Sequence, residues 1–324
     1  MADAPPCIAI SGATGFVGRA LCKTLTDANA GTRIRRLVRR PAGSDADAIE
    51  WSPAEQRLDP AALEGVDAVV HLAGAPIGPA KWTEARKRAI ADSRIEGTKL
   101  LVAAISKLKN PPKVLVQASA VGFYGHTGDD WVDESSSIGE GFLAGVVRDW
   151  EAAANPLETR GTRVLRLRFG HVLGDGGLLE ALRTPTRLGL GGRLGSGRQF
   201  WSFIAVGDLI SIIVAGLGDT RMSGVLNAVT PQPVRNADFA RQYAACLHRP
   251  AWLPAPATAL RLVFGAEQAR EMLLWGQRVR PVGLEQLGFE WRYPRLEDAL
   301  AASIDGSMAF PVEAARTLTV AGPA

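Results

Sequence analysis

The chain contains little lysine and little tyrosine, and this scarcity excludes one type of active site. Seven of its 37 basic residues are lysines, the last of which is Lys113, and only three residues are tyrosines. One large enzyme class needs a tyrosine as proton donor and, four positions later, a lysine that lowers the tyrosine pKa. The residues four positions after the three tyrosines are Gly128, Leu247 and Glu297. No tyrosine of this chain is therefore followed by a lysine at the required spacing.

Cysteine is equally scarce, and long apolar runs are missing. Cys7, Cys22 and Cys246 are odd in number and far apart, no Cys-x-x-Cys occurs, and the histidines lack partners at ligand spacing. These counts predict neither a disulfide framework nor a metal site, and they fit a reducing compartment. The longest apolar run, 209–217, is far shorter than the ~20 residues of a membrane span. Since the first residues do not resemble a signal peptide, we expect a cytoplasmic protein without a membrane partner.

The overall composition is that of an ordinary globular protein. Hydrophobic residues make up 47% of the 324 residues and charged residues 22%, and the length suggests about two domains. The net charge of +4 is too small to indicate nucleic-acid binding. Five arginines cluster in 33–40, but they flank a short apolar pair, which favours a strand end or a local phosphate site. We therefore expect a small-molecule substrate as partner and no nucleic acid.

Short apolar runs alternate with segments of helical spacing up to residue 169. The predicted strands are 7–10, 34–38, 67–73, 113–119 and 163–169. The predicted helices are 16–26, 89–108 and 149–159. Because parallel strands need crossover connections and helices supply them, this order predicts an α/β fold with a doubly wound parallel sheet. Residues 185–198 are expected to form a loop, prolines after 230 indicate a smaller lobe, and residues from Met308 onward are expected to form a loose tail.

A glycine-rich turn follows the first predicted strand. Residues 11–18 read Ser-Gly-Ala-Thr-Gly-Phe-Val-Gly, with a strand before them, a helix after them and a second strand about 20 residues on. Glycines at this spacing let a pyrophosphate approach the backbone N–H groups at the start of the helix. The pattern therefore predicts a dinucleotide site, although a tight turn without a ligand also fits it. The residues predicted to contact the dinucleotide here are Gly12, Thr14, Gly15, Phe16, Val17 and Gly18.

The end of the second predicted strand indicates which dinucleotide is bound. A carboxylate at this place would bind the ribose 2′-hydroxyl of NAD, but the chain reads Val38-Arg39-Arg40. The guanidinium of Arg39 suits a 2′-phosphate, so the sequence favours NADP (NADPH). The alternative is that Arg39 merely faces solvent at a strand end. Arg40 should point the other way and is the weaker candidate.

Several further segments make the chain resemble a known family. The motifs at 12–18, at 71–74 (His-Leu-Ala-Gly), at 97–98 (Gly-Thr) and at 118–120 (Ala-Ser-Ala) resemble the extended short-chain dehydrogenase/reductases. Other segments resemble an atypical subgroup of that family, the "epimerase family proteins" that carry a C-terminal domain of unknown function. These segments are 81–83, 92–95, 121–125, 195–199 and 277–279.

The resemblance implies a Rossmann sheet with a smaller C-terminal substrate lobe. It divides the chain into an epimerase-like Rossmann domain at 7–248, of which 173–202 reach into the substrate lobe, a C-terminal domain at 249–296, and a final helix and tail at 297–324. It also implies cofactor contacts by Leu72, Ala73 and Gly74. A homodimer through the helices that flank the sheet is an expectation at the level of the family.

The catalytic tetrad of the wider family is mostly replaced. By the resemblance, Ser119 matches the serine that binds the substrate oxygen. Phe142 stands at the tyrosine position, Val146 at the lysine position and Arg94 at the asparagine position. The resemblance therefore supports the cofactor site and leaves the usual proton transfer without its donor.

Two residues are candidates to act beside Ser119. Arg94 can serve as a fixed charge near the ribose or near a substrate carboxylate, since it cannot act as an acid or base near neutral pH. The alternative is an ion pair of Arg94 with Asp92 or Glu96 on a helix surface. Tyr124, five residues after Ser119, is a candidate proton donor, and the alternative is a buried aromatic side chain that holds the loop.

The segment 195–202 is predicted to close over a substrate. Its polar and aromatic side chains can orient a ligand, and the candidate substrate-binding residues are Arg198, Gln199 and Trp201. A mobile surface turn is the alternative. Two functions follow: an NADP(H)-dependent oxidoreductase that does not use the Tyr–Lys pair, and a catalytically weak or inactive NADPH-binding protein with a regulatory role.

Overall fold

The structure is a computed structural model that describes residues 6–28, 31–40, 45–78 and 80–323. The first five residues, on which the signal-peptide expectation depends in part, lie outside this range.

An eight-stranded sheet forms the centre of the molecule. The strands of the chain are β1 Cys7–Ser11, β2 Arg33–Val38, β3 Ala48–Ser52, β4 Arg57–Leu58, β5 Ala68–His71, β6 Val114–Ala120, β7 Trp131–Val132, β8 Arg163–Phe169, β9 His171–Leu173, β10 Phe200–Trp201, β11 Phe203–Ala205, β12 Gly224–Ala228, β13 Val234–Arg235 and β14 Arg278–Val279. The sheet has the order β12-β8-β6-β5-β1-β2-β3-β4, and every pair in it is parallel except β3–β4. The predicted doubly wound parallel sheet is therefore confirmed.

Helices cover both faces of the sheet and build the smaller lobe. They are α1 Phe16–Asp27, α2 Glu84–Ile105, α3 Phe142–Ala152, α4 Gly177–Arg187, α5 Val206–Gly218, α6 Asn236–Cys246, α7 Ala257–Phe264, α8 Ala266–Ala269, α9 Val282–Gln286, α10 Leu296–Asp305 and α11 Val312–Arg316. Apolar side chains of the strands pack against α1 and α5 on one face and against α2 on the other. Strands buried on both faces explain the nearly continuous apolar runs in the sequence.

Asp208 at the start of α5 joins the sheet to the smaller lobe. Its two carboxylate oxygens accept hydrogen bonds from the backbone N–H groups of Arg292 and Tyr293, both at 3.0 Å. The side chain is buried, and burial raises the pKa of its carboxyl group. Asp208 therefore has a structural role, since both of its carboxylate oxygens are used by backbone N–H groups.

The helix before β8 differs from the prediction. The sequence pattern places it at 149–159, whereas α3 ends at Ala152 and a 3₁₀ segment, Asn155–Arg160, follows. Pro156 disfavours helical backbone at the residue before it, so the helix stops early. The start of α3 is set from the smaller lobe, because the Glu271 carboxylate accepts hydrogen bonds from the N–H groups of Phe142 and Leu143 at 3.0 and 2.9 Å.

The expectation of a loose tail after Met308 is wrong. Residues of this segment form α11, which packs against α1 and α5. Ala315 and Val320 are buried in the main core. The guanidinium of Arg163 donates a hydrogen bond to the Ala321 carbonyl oxygen at 3.0 Å, which ties the end of the chain to β8. Apolar burial and this buried cation hold the tail in place.

Two glycines of the first turn are required by close backbone approach. Gly12 has a φ of +71°, and a Cβ on it would lie 2.8 Å from the Leu72 carbonyl carbon. A Cβ on Gly18 would overlap the carbonyl oxygen of Gly12. These contacts bring the start of α1 against the turn after β1 and against the end of β5.

We predict opposite effects for alanine at two helical glycines. Gly18→Ala should lower the free energy of unfolding by about 1–3 kcal/mol because the new methyl group overlaps backbone atoms. Gly145→Ala in α3 should raise it by about 0.5–1 kcal/mol, since a Cβ there contacts nothing and alanine favours helix. Urea unfolding of both variants measures the difference, and a stabilised Gly18→Ala variant would contradict the close approach.

Candidate functional site

A cavity of about 360 Å³ lies at the carboxyl ends of the central strands. Its walls come from the turn after β1, the ends of β5, β6 and β8, and the inner faces of α2 and α3. The chain crosses from one half of the sheet to the other between β1 and β5, so the cavity lies at the topological switch point where ligands bind in such sheets. The predicted site residues that line it are Gly12, Gly15, Phe16, Val17, Gly18, Leu72, Arg94 and Ser119.

The glycine turn presents an uncapped helix start to the cavity. Gly15 is the residue before α1, no side chain caps the helix, and its first turn carries no acidic residue. The N–H groups of a first helical turn have no partner within the helix, and the helix dipole favours an anion there. Thr14 is exposed in the same turn, where its carbonyl oxygen accepts a hydrogen bond from Arg19 at 2.7 Å. This wall can therefore hold a phosphate group.

A buried histidine holds the loop after β5 against this turn. Ser11 Oγ accepts hydrogen bonds from the N–H groups of Leu72 and Ala73, both at 3.2 Å. Ser11 Oγ also lies 2.6 Å from Nδ1 of His71, and Nε2 of His71 lies 3.1 Å from Thr98 Oγ1. Burial lowers the pKa of His71 to about 4, so its ring is neutral at pH 7. His71 is therefore a neutral residue of the buried interior that is held by two hydroxyl groups.

The two arginines at the end of β2 have no partner among the described residues. Arg39 and Arg40 are exposed, and neither makes a hydrogen bond or an ion pair with a residue that the structure describes. By contrast, Arg36 earlier in the strand pairs with Asp45 at 2.5 Å. A guanidinium without a carboxylate partner at the edge beside the glycine turn is suited to a phosphate.

Arg94 lies in the cavity wall and does not pair with a neighbouring carboxylate. Its Nη1 donates hydrogen bonds to the carbonyl oxygens of Ala75 and Ile90 at 3.0 and 3.1 Å. The guanidinium lies against Gly74, where a Cβ would be 3.0 Å from Cζ, and 5.3 Å above the Trp150 ring. Burial lowers the pKa of Arg94 to about 10, which leaves it charged. In the described residues, the alternative pairing with Asp92 or Glu96 is not formed.

The part of the cavity wall that α3 supplies is mostly apolar. Leu143, Val146, Val147 and Trp150 of α3 line the cavity on the side where the wider family would carry tyrosine and lysine. Val146 thus faces the cavity at the predicted lysine position. Phe142, at the predicted tyrosine position, packs edge-on against Trp82 with ring centroids 5.2 Å apart. This helix supplies a largely apolar surface to the cavity, with neither a tyrosine nor a lysine at the two predicted positions.

Ser119 connects the cavity to a buried network of charges. Its Oγ lies 2.5 Å from Oε1 of Glu151 in α3. Both carboxylate oxygens of Glu151 accept from Arg168 of β8, at 2.8 Å each. The Nη1 group of Arg168 donates to the hydroxyl oxygen of Tyr124 at 2.9 Å, and that hydroxyl donates to Asn227 at 2.8 Å. Each of these five residues is less than a tenth exposed.

The structure gives Tyr124 a different position from the one expected of a proton donor. Its side chain does not line the cavity, because its hydroxyl points back into the network between Arg168 and Asn227. Burial raises the pKa of Tyr124 to about 12. The buried-aromatic alternative describes Tyr124 better, so we do not carry it into the proposed chemistry.

The three candidate substrate residues also lie elsewhere. The amide of Gln199 is buried and donates to the carbonyl oxygens of Leu194 and Leu273 at 3.0 and 2.7 Å. Trp201 is buried between His171 and Phe239, at ring distances of 4.5 and 4.8 Å. Arg198 is exposed. None of the three is among the residues that line the described cavity. Gln199 and Trp201 make contacts within the smaller lobe, so we withdraw these two residues from the substrate site.

The sequence patterns did not identify two polar residues of the site. Glu151 and Arg168 are 17 residues apart, and no local pattern relates them. The available signal was the segment 163–169, in which arginine alternates along the sequence with valine, leucine and phenylalanine. A charge in a central strand needs a buried partner, and this rule indicates that one exists without saying where.

Neither a metal cluster nor a membrane helix is found in the described ranges. Within 6–28, 31–40, 45–78 and 80–323, no three His, Cys, Asp or Glu side chains come together as ligands. In the same ranges no helix combines the length and the apolar character that crossing a bilayer requires.

Comparison with known families gives two matches along the chain. The profile of the NAD dependent epimerase/dehydratase family matches residues 8–227, and that of a domain of unknown function, DUF1731, matches residues 255–303. The epimerase family protein Mb2239 of Mycobacterium bovis is 40% identical over 294 residues, which are 90% of this chain and 96% of that protein. The human epimerase family protein SDR39U1 is 38% identical over 297 residues, 90% of this chain and 98% of that one.

Solved structures with the same fold include two of appreciable identity. A crystal structure of human epimerase family protein SDR39U1 (isoform 2) with NADPH has a TM-score of 0.82 and 34% identity, covering 92% of this chain and 99% of that one. A nucleoside-diphosphate sugar epimerase from Corynebacterium glutamicum has a TM-score of 0.75 and 33% identity, covering 96% of this chain and 63% of that one.

The neutral state of His71 predicts a loss of stability in acid. Because its pKa falls from 6.5 to about 4 on folding, only the unfolded chain takes up a proton between these values. The stabilising contribution is complete above pH 6.5 and is lost as the pH falls toward 4, about 2 kcal/mol by pH 5. Urea unfolding at pH 7 and pH 5 should therefore show a smaller pH dependence for His71→Gln than for the wild type. His126→Gln, on an exposed loop, is the control, and equal slopes for His71→Gln and the wild type would refute the assignment.

Proposed function

Since this chain belongs to the NAD dependent epimerase/dehydratase family, we propose that it binds NADP(H) and acts as an oxidoreductase on a small polar substrate without a Tyr–Lys pair. The observation that carries the proposal is the cavity itself. An uncapped helix start and a glycine cradle form one part of its wall, and a serine and a half-buried guanidinium form another part. The human relative SDR39U1, 34% identical in its crystal structure, was crystallised with NADPH, which supports the choice of cofactor.

The residues of the chain fit the phosphate groups of this cofactor. The turn at Gly12–Gly18 would hold the pyrophosphate, because a side chain at Gly12 or Gly18 would fill the space that the backbone occupies. Arg39 would hold the 2′-phosphate, since its guanidinium is exposed and has no partner in the described residues. When bound, the nicotinamide supplies or accepts a hydride.

The inner residues of the cavity would position the substrate. The apolar face of α3, with Val146 and Trp150, excludes water from the reacting end. Arg94 would place a fixed positive charge beside the cofactor ribose as well as the substrate, because its Nη2 and Nε groups are not used by protein acceptors among the described residues. By its match to the family serine, Ser119 would meet the substrate oxygen, and it lines the cavity.

The second candidate function is a catalytically weak or inactive NADPH-binding protein with a regulatory role. The observation that favours it is the absence of a tyrosine and a lysine from the inner face of α3, where Phe142 and Val146 stand. Turnover of the cofactor against a panel of small alcohols and carbonyl compounds separates the two functions. Tight binding without turnover of any member would favour the regulatory role, and turnover that Ser119→Ala abolishes would favour the enzyme.

The remaining expectations concern the cell and the assembly. We propose a cytoplasmic location, supported by three cysteines that lie far apart in a sequence without zinc or disulfide spacing. A homodimer through the sheet-flanking helices, the lack of a nucleic-acid partner and the domain boundaries at 248/249 and 296/297 stay predictions.

The assignment of the 2′-phosphate to Arg39 is tested by a titration with two cofactors. Wild-type protein should bind NADPH more tightly than NADH, and Arg39→Ala should weaken NADPH binding about tenfold and leave NADH binding unchanged. Quenching of tryptophan fluorescence measures both dissociation constants. Arg40→Ala is the matched control, and it should change the NADPH constant less. A wild-type preference for NADH, or an Arg40 effect larger than that of Arg39, would overturn the assignment.

The role of Arg94 is tested by its charge. Arg94→Ala should weaken NADPH binding about tenfold, because it removes an uncompensated guanidinium from the cavity wall, whereas Arg94→Lys should retain part of the affinity. Arg88→Ala on the exposed side of the same helix is the control and should bind as the wild type does. An unchanged NADPH constant in Arg94→Ala would remove Arg94 from the proposed site.

A further inference from the structure

The direction of each hydrogen bond in the network behind Ser119 can be read from its far end. The Asn227 side-chain amide donates from Nδ2 to the carbonyl oxygen of Arg280 at 2.9 Å. A backbone carbonyl can only accept, so Oδ1 of Asn227 must face the Tyr124 hydroxyl, 2.8 Å away. Tyr124 therefore donates its hydrogen to Asn227 and accepts from Arg168.

The ion pair of Arg168 with Glu151 fixes the direction of the next hydrogen bonds, as far as the cavity. Arg168 has only donors, and its Nε and Nη2 groups each face one oxygen of Glu151. This fork-like arrangement is that of a carboxylate, which brings no hydrogen of its own. The hydrogen between Glu151 Oε1 and Ser119 Oγ, 2.5 Å apart, must therefore come from Ser119.

Ser119 Oγ can therefore act toward a ligand in the cavity only as a hydrogen-bond acceptor. A serine hydroxyl has one hydrogen, and here that hydrogen is committed to Glu151. None of the described residues donates a hydrogen bond to Ser119 Oγ, and Ser119 lines the cavity. A ligand atom that meets Ser119 must consequently bring a hydrogen of its own.

We propose that Glu151 is a positioning residue that turns Ser119 into a hydrogen-bond acceptor, so that the cavity selects a ligand hydroxyl over a carbonyl oxygen. The inference deepens the proposed function, on which it rests for the place of the ligand. Ser119 would accept a hydrogen bond from the ligand, whereas a serine that binds a substrate carbonyl donates one. The apolar side chains of α3, including Val146 and Val147, would contact carbon atoms of the ligand. The ligand class is therefore a small polar molecule with a hydroxyl group at Ser119 and apolar carbon atoms against α3.

The proposal is tested with two probes of one skeleton, cyclohexanol and cyclohexanone. Both suit an apolar wall, but only the alcohol can donate a hydrogen bond. Ligand-observed NMR titration gives the dissociation constant of each probe, with and without NADPH present. The wild type should bind cyclohexanol about fivefold more tightly than cyclohexanone, as expected for one net hydrogen bond.

Two variants separate selection by Ser119 from general packing. Ser119→Ala removes one oxygen and should reduce the preference for the alcohol to less than about twofold. The double variant Glu151→Met/Arg168→Met replaces the buried pair by apolar chains, an exchange that proteins often tolerate. It frees the Ser119 hydrogen, so its preference should shift toward the ketone. A residue that only stabilised the fold would change both dissociation constants together.

The matched control is the neighbouring pair on the same strand. Arg166 pairs with Glu158 at 2.7 Å, and its Nε group donates a hydrogen bond to the backbone carbonyl oxygen of Glu151 at 3.0 Å. Glu158→Gln removes a half-exposed carboxylate of this pair and leaves the bond to Glu151 in place, so this variant should keep the preference of the wild type. If the Glu151 double variant does not fold, the comparison of the wild type with Ser119→Ala decides by itself.

The outcomes also separate this proposal from the proposed function. Equal binding of the two probes to the wild type, binding of neither, tighter binding of the ketone, or a preference that survives Ser119→Ala would each overturn the role of Ser119 and Glu151. A protein that selects cyclohexanol but does not bind NADPH would contradict the proposed function and leave the role of Glu151 intact, because the probe titration does not require the cofactor.

Discussion

The buried pair of Glu151 with Arg168 is the interaction on which the polar half of the cavity depends. It joins α3 to β8. Its hydrogen bonds to Ser119, near the end of β6, and to Tyr124, in the turn after β6, also hold these two residues. Removing one partner of such a pair leaves an uncompensated charge in the interior, which costs about 3–5 kcal/mol. The pair also allows only one direction for the hydrogen bonds around it, so it sets the polarity that Ser119 presents to a ligand.

The other half of the cavity is made of backbone and needs no charged side chain. Gly12 and Gly18 let α1 begin directly against the turn after β1 and beside the end of β5. The neutral His71 locks this arrangement through Ser11 and Thr98. A phosphate can therefore meet N–H groups and a helix dipole at this end, while side-chain chemistry is confined to the end near α3.

The features of the site that could be predicted from the sequence are those fixed by residues close together in the chain. The glycine turn and the strand before it are set by residues within about a dozen positions, and the sequence predicts them correctly. The start of α3 is set by Glu271, more than a hundred residues away, which caps Phe142 and Leu143. The polar and aromatic residues Gln199 and Trp201 look like ligand contacts in a flexible segment, but their partners in the smaller lobe bury them. Long-range partners therefore account for these errors.

The sequence by itself determined the sheet, the dinucleotide turn and the loss of the usual catalytic pair. Glycine spacing, apolar runs and residue counts are properties of the chain that hold in any fold it could adopt, and no arrangement can place a lysine where none exists after Lys113. The tertiary structure alone decided that Tyr124 turns away from the cavity and that Ser119 faces it with lone pairs. Those facts arise from Glu151, Arg168 and Asn227, which three separate elements bring together, and the direction of a hydrogen bond exists only once its donor and acceptor have met.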